Sequence, residues 1–275
     1  MNRYCCLDVT FAAIMENLQR VIYQDLGRIS YKQAWDYQSQ LQKQVIDAKL
    51  VARKRLEATP PSVFYDVGSG MSDVGLGIEY PLTAQNPHYL LFCEHNPVYT
   101  LGKSGSIDNL LLNEEQLAVR DIEFFRINRG GDITYHGPGQ ITGYPIFDIE
   151  QFFTDVHKYV RYLEETVIRT MADLGLEGYR IKEYTGVWIN TKKDGKARKI
   201  CAIGVHFSRW VSLHGFAFNV NTDLTYFKNI IPCGIADEDK DVTSLSTELG
   251  REIDINEVKH ILKGHFADLF NYRYD

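Results

Sequence analysis

Three stretches of the chain carry apolar residues at the three- and four-residue spacing of an amphipathic helix. The first follows Ser30, which forms a Ser-x-x-Gln capping box with Gln33, and it ends before Pro60 and Pro61. The pattern therefore predicts three long helices, over residues 31–58, 151–176 and 255–270.

Short apolar runs bounded by turn residues lie between these helices, which is typical of strands. Predicted strands cover residues 21–27, 89–94, 98–101, 122–127, 186–190, 199–207 and 211–220. The polar stretch 191–198 joins two of them as a hairpin, and hairpins dominate the second half of the chain. Interleaved helices and hairpins predict the α+β class, with a largely antiparallel or mixed sheet packed by helices on one side.

Two segments stand outside the regular pattern of a single domain expected over residues 21–275. Residues 1–20 are interpreted as an N-terminal extension. Asp8 interrupts their apolar run, and Glu16 follows where a signal peptide needs small residues for cleavage, so the sequence disfavours a signal peptide here. Residues 62–87 are rich in glycine and proline, so an irregular inserted loop is predicted there.

Composition narrows the possible functions. The net charge of −6 over 275 residues disfavours a general nucleic-acid binder, whose phosphate contacts require a basic face. No apolar run approaches the roughly 20 residues that span a bilayer, so no membrane contact is expected. The five cysteines are odd in number and form no C-x-x-C pair. Reduced thiols, a cytoplasmic location and no metal site are therefore expected.

The most unusual segment, residues 129–139, holds five glycines and prolines among eleven residues. Glycine lets a ligand approach the backbone closely, but the spacing matches neither of the two common phosphate-binding glycine motifs. A tight turn does not need Arg129, Thr134, Tyr135 and His136 among its glycines, so a binding loop is favoured.

Glycines also interrupt two predicted strands, at Gly204 and Gly215. A glycine inside a strand marks either a bulge or a place where a ligand lies against the backbone, and the sequence leaves both open. Cys233 lies between Pro232 and Gly234, in a turn that can hold a nucleophile exposed. A lone cysteine is otherwise typical of a small buried apolar residue.

Four segments together resemble the lipoyl/octanoyl transferase family. They are R-G-G-x-x-T-Y-H-G-P-G-Q at Arg129–Gln140, K-I-C-A-I-G at Lys199–Gly204, H-G-F-A-F-N-V-N at His214–Asn221 and P-C-G at Pro232–Gly234. The resemblance covers about residues 21–245. It implies the fold of the biotin and lipoate protein ligases, which have a core like that of class II aminoacyl-tRNA synthetases.

The resemblance also implies a reaction that needs no cofactor. Octanoyl passes from acyl carrier protein to a lysine of lipoyl domains, in the E2 subunits of 2-oxoacid dehydrogenases and in the glycine cleavage H protein. Cys233 is then the acyl-thioester nucleophile, and Lys199 lowers the pKa of its thiol. The implied acyl pocket consists of Arg129, Gly130, Gly131, Asp132, Ile133, Thr134, Tyr135, His136, Ala202, Ile203, Gly204, Gly215, Phe216 and Ala217.

Physical chemistry supports the pairing of lysine with cysteine. A free cysteine has a pKa of about 8.5, and lowering it by two units requires about 2.7 kcal/mol. An ammonium about 4 Å away supplies roughly 4 kcal/mol at an effective dielectric constant near 20. His136 is the competing base, ranked second because a Tyr-His-Gly turn more readily shapes a pocket. Ile203, Phe216 and Phe218 are expected to form the apolar walls around an acyl chain.

Three alternatives stay open. An ATP-dependent lipoate or biotin ligase relative needs no nucleophilic cysteine, so the P-C-G segment disfavours it. An amidotransferase that moves octanoyl or lipoyl between carrier proteins uses the same thioester chemistry. A non-enzymatic module that binds an acyl chain needs neither Lys199 nor Cys233.

Overall fold

The computed structural model of the chain describes residues 18–58, 62–65, 76–79, 87–190, 195–231 and 240–275. Cys233 and most of the expected extension 1–20 lie outside these residues. The described strands are β1 (Gln19–Ile29), β2 (Ser62–Tyr65), β3 (Leu76–Glu79), β4 (His88–His95), β5 (Val98–Leu101), β6 (Glu123–Arg126), β7 (Ile133–His136), β8 (Gln140–Ile146), β9 (Gly178–Ile181), β10 (Tyr184–Asn190), β11 (Ala197–Ser208), β12 (Val211–Asn219), β13 (Lys240–Val242) and β14 (Tyr272–Tyr274).

Nine of these strands form the main sheet, in the order β14-β1-β4-β8-β12-β11-β10-β9, with β13 beside β11. The pairs β1–β14, β1–β4 and β11–β13 are parallel, and the other neighbours are antiparallel. The mixed sheet with packed helices confirms the predicted α+β class.

The described helices are α1 (Tyr31–Ala58), α2 (Glu114–Val119), α3 (Val156–Asp173), α4 (Leu245–Leu249) and α5 (Ile255–Phe270). Helices cover both faces of the main sheet, so the prediction of helices on one side is wrong. Strand β4 shows why, because Leu90 and Phe92 pack in the core beneath α3 and α5, whereas Leu91 and Cys93 pack against α1. A strand that is apolar on both faces needs cover on both faces.

The ends of the helices follow local capping chemistry. The Ser30 hydroxyl accepts a hydrogen bond from the Gln33 backbone N–H at 3.3 Å, as the capping box predicts. Helix α3 begins five residues later than predicted. The Asp155 side chain accepts from the Lys158 backbone N–H at 3.0 Å and so caps the helix. A short 3₁₀ turn at Ile149–Gln151 precedes it.

A separate three-stranded sheet, in the order β6-β5-β7, lies beside the main sheet. Its apolar side packs on Tyr226 and Phe227 of the 3₁₀ helix Leu224–Asn229 and on Ile230. This packing fixes the chain immediately before the segment that contains Cys233.

The predicted irregular loop 62–87 is wrong for eight residues, because β2 and β3 pair as an antiparallel ladder. The remaining residues of that segment, except residue 87, lie outside the described part of the chain. None of the helices in the described ranges combines the length and apolarity needed to cross a bilayer.

Candidate active site

A cavity of about 340 Å³ lies where residues 129–136 meet β11 and β12. Its volume falls within the roughly 300–1,000 Å³ typical of small-molecule sites. The predicted site residues that line it are Arg129, Gly130, Gly131, Asp132, Ile133, Thr134, His136, Lys199, Ala202, Ile203, Gly204, Gly215, Phe216 and Ala217. Three segments distant in sequence therefore surround one space.

Tyr135 is the exception among the predicted pocket residues described by the structure. Thr134 and His136 lie on the cavity side of β7, whereas Tyr135 packs in an apolar cluster on the other side, together with Ile133, which also borders the cavity at the start of the strand. The Tyr135 ring stacks on Tyr226 with centroids 4.6 Å apart. Phe218, expected as a wall, is buried in the core beneath α3 and α5 and does not line the cavity.

Gly204 and Gly215 are paired across β11 and β12, and the register runs unbroken along both strands. Neither glycine is therefore a bulge. A Cβ on Gly204 would lie 2.8 Å from the Gly130 carbonyl oxygen and 2.9 Å from Arg129 Cδ. The Gly130 backbone N–H donates to the Val205 carbonyl at 3.0 Å, which brings the glycine-rich segment onto the strand. Close backbone approach explains the glycine.

Arg129 fastens this segment to β5. Its guanidinium donates to the Thr100 carbonyl at 2.7 Å, to the Thr100 hydroxyl at 3.0 Å and to the Gly130 carbonyl at 3.0 Å. Its Nε is buried without a hydrogen-bond partner among the described residues. Burial lowers the pKa of the Arg129 guanidinium, and three accepting oxygens offset the cost of its charge.

His136 is held as a neutral ring. The Gln140 amide donates to the Tyr135 carbonyl and to Asn219, which leaves its Oε1 to accept from His136 Nδ1 at 2.8 Å. The other ring nitrogen lies 3.3 Å from the Thr100 hydroxyl. Burial, reinforced by His95, holds the pKa of His136 well below its ordinary value of 6.5. This geometry suits a residue that shapes the cavity better than one that moves protons.

Lys199 reaches the cavity wall from β11. Its ammonium nitrogen lies over the Trp188 ring, 4.6 Å from the ring centroid. The Lys199 carbonyl accepts from the Thr243 backbone N–H at 3.0 Å, and Lys199 pairs with Val242 of β13. Lys199 is thus fixed by strands on both sides.

Cys233 lies in the segment between two anchors, Ile231 and Lys240. The Ile231 backbone N–H donates to the Asn109 carbonyl at 2.8 Å, and the Asn109 amide donates to Asp132 of the cavity wall at 2.5 Å. On the other side, β13 begins at Lys240 and pairs with β11 beside Lys199.

Several residues that line the cavity were not predicted. Tyr31 stacks on His136 with centroids 5.6 Å apart, and His214 Nε2 lies 2.7 Å from Asn128 Oδ1. Burial lowers the pKa of His214 to about 3. His214 is the first residue of the motif segment His214–Asn221, and its place in that motif is the signal from which the sequence could have predicted it as a cavity residue. Others in this set are Gln140, Tyr144, Asn219, Phe227 and Val242. No group of three or more His, Cys, Asp or Glu in the described ranges is arranged to hold a metal ion.

Comparisons with known proteins agree on one family. The family profile of the lipoyl protein ligase A/B catalytic domain matches residues 80–267. An octanoyltransferase of Cytophaga hutchinsonii is 50% identical over 250 residues, which are 91% of this chain and 92% of the relative. An octanoyltransferase of Flavobacterium johnsoniae is 50% identical over 253 residues, 92% of this chain and 97% of that one.

Solved structures share the fold at low sequence identity. A bipartite lipoate protein ligase of Thermoplasma acidophilum superposes with a TM-score of 0.58 and 16% identity, covering 94% of this chain and 86% of the other. A lipoate-protein ligase A bound with ATP gives a TM-score of 0.56 at 16% identity, covering 94% and 88%.

Proposed function

This chain belongs to the lipoyl protein ligase A/B catalytic domain family and is an octanoyltransferase, and we propose that it carries octanoyl as a thioester on Cys233. The family implies a carrier-bound donor and lipoyl-domain acceptors. We further propose that the donor is acyl carrier protein. In this proposal the acceptors are the E2 subunits of 2-oxoacid dehydrogenases and the glycine cleavage H protein. A cytoplasmic location belongs to the same proposal, in keeping with the free thiols of Cys93 and Cys201.

The observation that carries the proposal is that Lys199 lies on the cavity wall and pairs with β13, the first described element after the Cys233 segment in the sequence. Ile231, two residues before Cys233 in the sequence, is anchored by a hydrogen bond from its backbone N–H to the Asn109 carbonyl. That anchor is linked through Asn109 to Asp132, on the cavity wall. The described residues that flank the Cys233 segment in the sequence, Ile231 and Lys240, are thus both tied to elements that border the cavity, which supports the proposal.

In the first half-reaction the Cys233 thiolate attacks the carbonyl carbon of the octanoyl thioester on the carrier. A new carbon–sulfur bond forms, the bond to the carrier sulfur breaks, and Lys199 donates a proton to the departing thiolate. In the second half-reaction the acceptor lysine amine attacks the Cys233 thioester. The amide forms, Cys233 leaves as thiolate, and neutral Lys199 takes up the proton released by the amine.

The cavity suits the acyl chain. Strand β11 contributes lining residues from Lys199 to Val205, and a strand rises about 3.3 Å per residue, so these two residues are about 20 Å apart. Ile203 and Phe216 present apolar surface, and each buried methylene contributes about 0.8 kcal/mol. Gly204 and Gly215 also line the cavity, and each lets a neighbouring backbone carbonyl approach closely, that of Gly130 at Gly204 and that of Gly143 at Gly215.

Intact-mass measurement after incubation with octanoyl-carrier protein tests the proposal. One octanoyl group is expected on the wild type and none on Cys233→Ser, because a serine there has no base matched to activate it. Lys199→Ala is expected to slow acylation and raise the pH at which iodoacetamide labels Cys233. Near-normal turnover by Cys233→Ser refutes the thioester mechanism.

The same experiment separates the alternatives. A ligase relative acts on free octanoate with ATP and retains no acyl group on cysteine. An amidotransferase becomes acylated by octanoyl-lipoyl domain but not by octanoyl-carrier protein. A binding module releases octanoyl on denaturation.

A further inference from the structure

We infer that Trp188 is a positioning residue whose indole face holds the Lys199 ammonium at the cavity wall, and that a bulge in β10, fixed by Glu164, shapes the surface on which the lysine lies. The inference rests on the proposed role of Lys199 in activating Cys233. Trp188 does not line the cavity and acts through Lys199.

The contact between Trp188 and Lys199 is cross-strand. The two residues are register partners in β10 and β11, and the ammonium nitrogen lies 4.6 Å from the ring centroid. A cation within about 6 Å of the face of an aromatic ring is attracted by the ring quadrupole, and tryptophan gives the strongest attraction. The ring is fully buried, and its Nε1 donates to the Tyr184 carbonyl at 3.1 Å. The indole therefore has one fixed orientation.

The backbone of β10 is bulged next to this pair. The register with β11 shifts between Val187 and Trp188, and Gly186 has a φ of 126°. A Cβ at Gly186 would collide with the Cys201 carbonyl oxygen and would lie 3.6 Å from Lys199 Cε. The absence of a side chain at Gly186 therefore lets its backbone approach the Cys201 carbonyl of β11, and the Lys199 stem packs beside it.

A buried carboxylate fixes the bulge. Glu164 of α3 is fully buried and accepts from the Gly186 backbone N–H at 3.1 Å. Two arginines, Arg161 at 2.6 Å and Arg180 at 3.0 Å, compensate its charge. Glu164 of α3 is thus connected to Lys199 through its hydrogen bond to Gly186 and through the packing of the Gly186 backbone beside the lysine stem.

Among the described residues, the charged and titratable groups near this part of the site include Cys201 of β11 and groups on α3, β13 and the start of β10. Glu164 lies behind Gly186 on α3, and Glu183 and Tyr184 line the cavity near the start of β10. Lys240 of β13 lies over the Tyr184 ring, 4.7 Å from its centroid. Lys240 therefore lies against a ring that borders the cavity near the start of β10.

A double-mutant cycle tests the inference. The readout is the pH at which half of Cys233 reacts with iodoacetamide, measured for wild type, Trp188→Leu, Lys199→Ala and the double variant. Trp188→Leu is expected to reduce the thiolate fraction near neutral pH by about three- to thirtyfold, the range of buried cation–π contacts. In the Lys199→Ala background the same change is expected to have no further effect. Trp188→Phe, which keeps a ring, is expected to lie between wild type and Trp188→Leu.

A fluorotryptophan placed at position 188 alone covers the case in which Trp188→Leu does not fold. Fluorination weakens the negative face of the ring without changing its shape, so the labelling pH is expected to rise only when Lys199 is present. Equal shifts with and without Lys199, or no shift on fluorination, overturn the inference. If Lys199→Ala leaves the labelling pH unchanged, the proposed role of Lys199 fails first, and the inference fails with it. A shift in Lys199→Ala without one in the Trp188 variants overturns the inference alone.

Discussion

Gly204→Ala is expected to disturb the candidate site through one misplaced methyl group. Its Cβ would lie 2.8 Å from the Gly130 carbonyl oxygen and 2.9 Å from Arg129 Cδ. An ordinary carbon–oxygen contact is about 3.3 Å or longer, so the segment at Gly130 has to move by about 0.5 Å. That movement strains the Gly130–Val205 hydrogen bond of 3.0 Å and the contacts of Arg129 with Thr100.

The magnitude follows from the cost of overpacking. Inserting a methyl group into a packed site costs about 1–3 kcal/mol, which for a domain of this size lowers Tm by roughly 2–10 °C. A misplacement of about 1 Å at a reacting centre costs about a hundredfold in rate. A shift of half that size is therefore expected to reduce kcat/KM for octanoyl transfer by about tenfold.

Thermal unfolding and steady-state transfer from octanoyl-carrier protein measure the two effects. Gly130→Ala is the matched control for stability, because a Cβ there has its nearest neighbour, the Val205 carbonyl oxygen, at 3.6 Å. Its free energy of unfolding is expected to change by less than about 0.5 kcal/mol. If Gly204→Ala and Gly130→Ala lower Tm equally, close backbone approach is not the reason for the glycine at position 204.

Three further predictions concern buried groups and surface charge. Cys93 and Cys201 are fully buried, and burial raises the pKa of both thiols, that of Cys93 to about 12. Iodoacetamide is therefore expected to label neither cysteine until the protein is denatured. Peptide mass mapping of the labelled protein measures this. Burial lowers the pKa of His88 to about 3 in the folded protein. As the pH falls, the unfolded state therefore takes up a proton on this histidine at a higher pH than the folded state does. The free energy of unfolding decreases as a result between about pH 6.5 and pH 3. The free energy of unfolding, measured in urea, is expected to depend on pH less steeply in His88→Gln than in the wild type, by about 1.4 kcal/mol per pH unit between pH 6 and 4. Acyl carrier proteins are acidic, so we expect the basic stretch 191–198 to steer the donor to the site by electrostatic attraction. Replacing Lys192, Lys193 and Lys196 by glutamate is then expected to raise KM for octanoyl-carrier protein and to flatten its salt dependence, while a small octanoyl thioester reacts almost unchanged. Equal losses with both donors contradict this steering.

More of the candidate site than of the surrounding fold could be predicted from the sequence. Gly204 and Gly215 mark close backbone approach, a requirement that only glycine meets, so the residue type itself carries the information. At Gly131 the requirement is instead a positive φ of 85°, whereas Gly130 has room for a Cβ. Family resemblance brought the three segments together, and the structure places them around one cavity. Neither source predicted that Tyr135 faces away, because a segment interpreted as a loop has no alternation.

Strands β7 and β8 were missed for a related reason. Gly137, Pro138 and Gly139 suggest a long loop, yet they form only the short turn between two strands. The prolines and glycines that dominate residues 62–87 concealed β2 and β3 in the same way. Strands β13 and β14 have three residues each, too few for a periodic pattern, and they exist because β11 and β1 offer a free edge for pairing.

The charge states of the residues around the cavity follow from the free-energy cost of burying a charge. A sequence motif does not show this cost, because it does not show burial. Burial holds His136 and His214 neutral at pH 7, because an uncompensated buried charge costs several kcal/mol. Arg129 escapes this penalty through three accepting oxygens, and the Lys199 ammonium lies against the face of an indole. An acyl chain bound in this cavity would therefore meet neutral histidine rings, and the Lys199 ammonium would supply positive charge at the cavity wall. A cavity with charged histidines would have to desolvate two more cations before any acyl group entered.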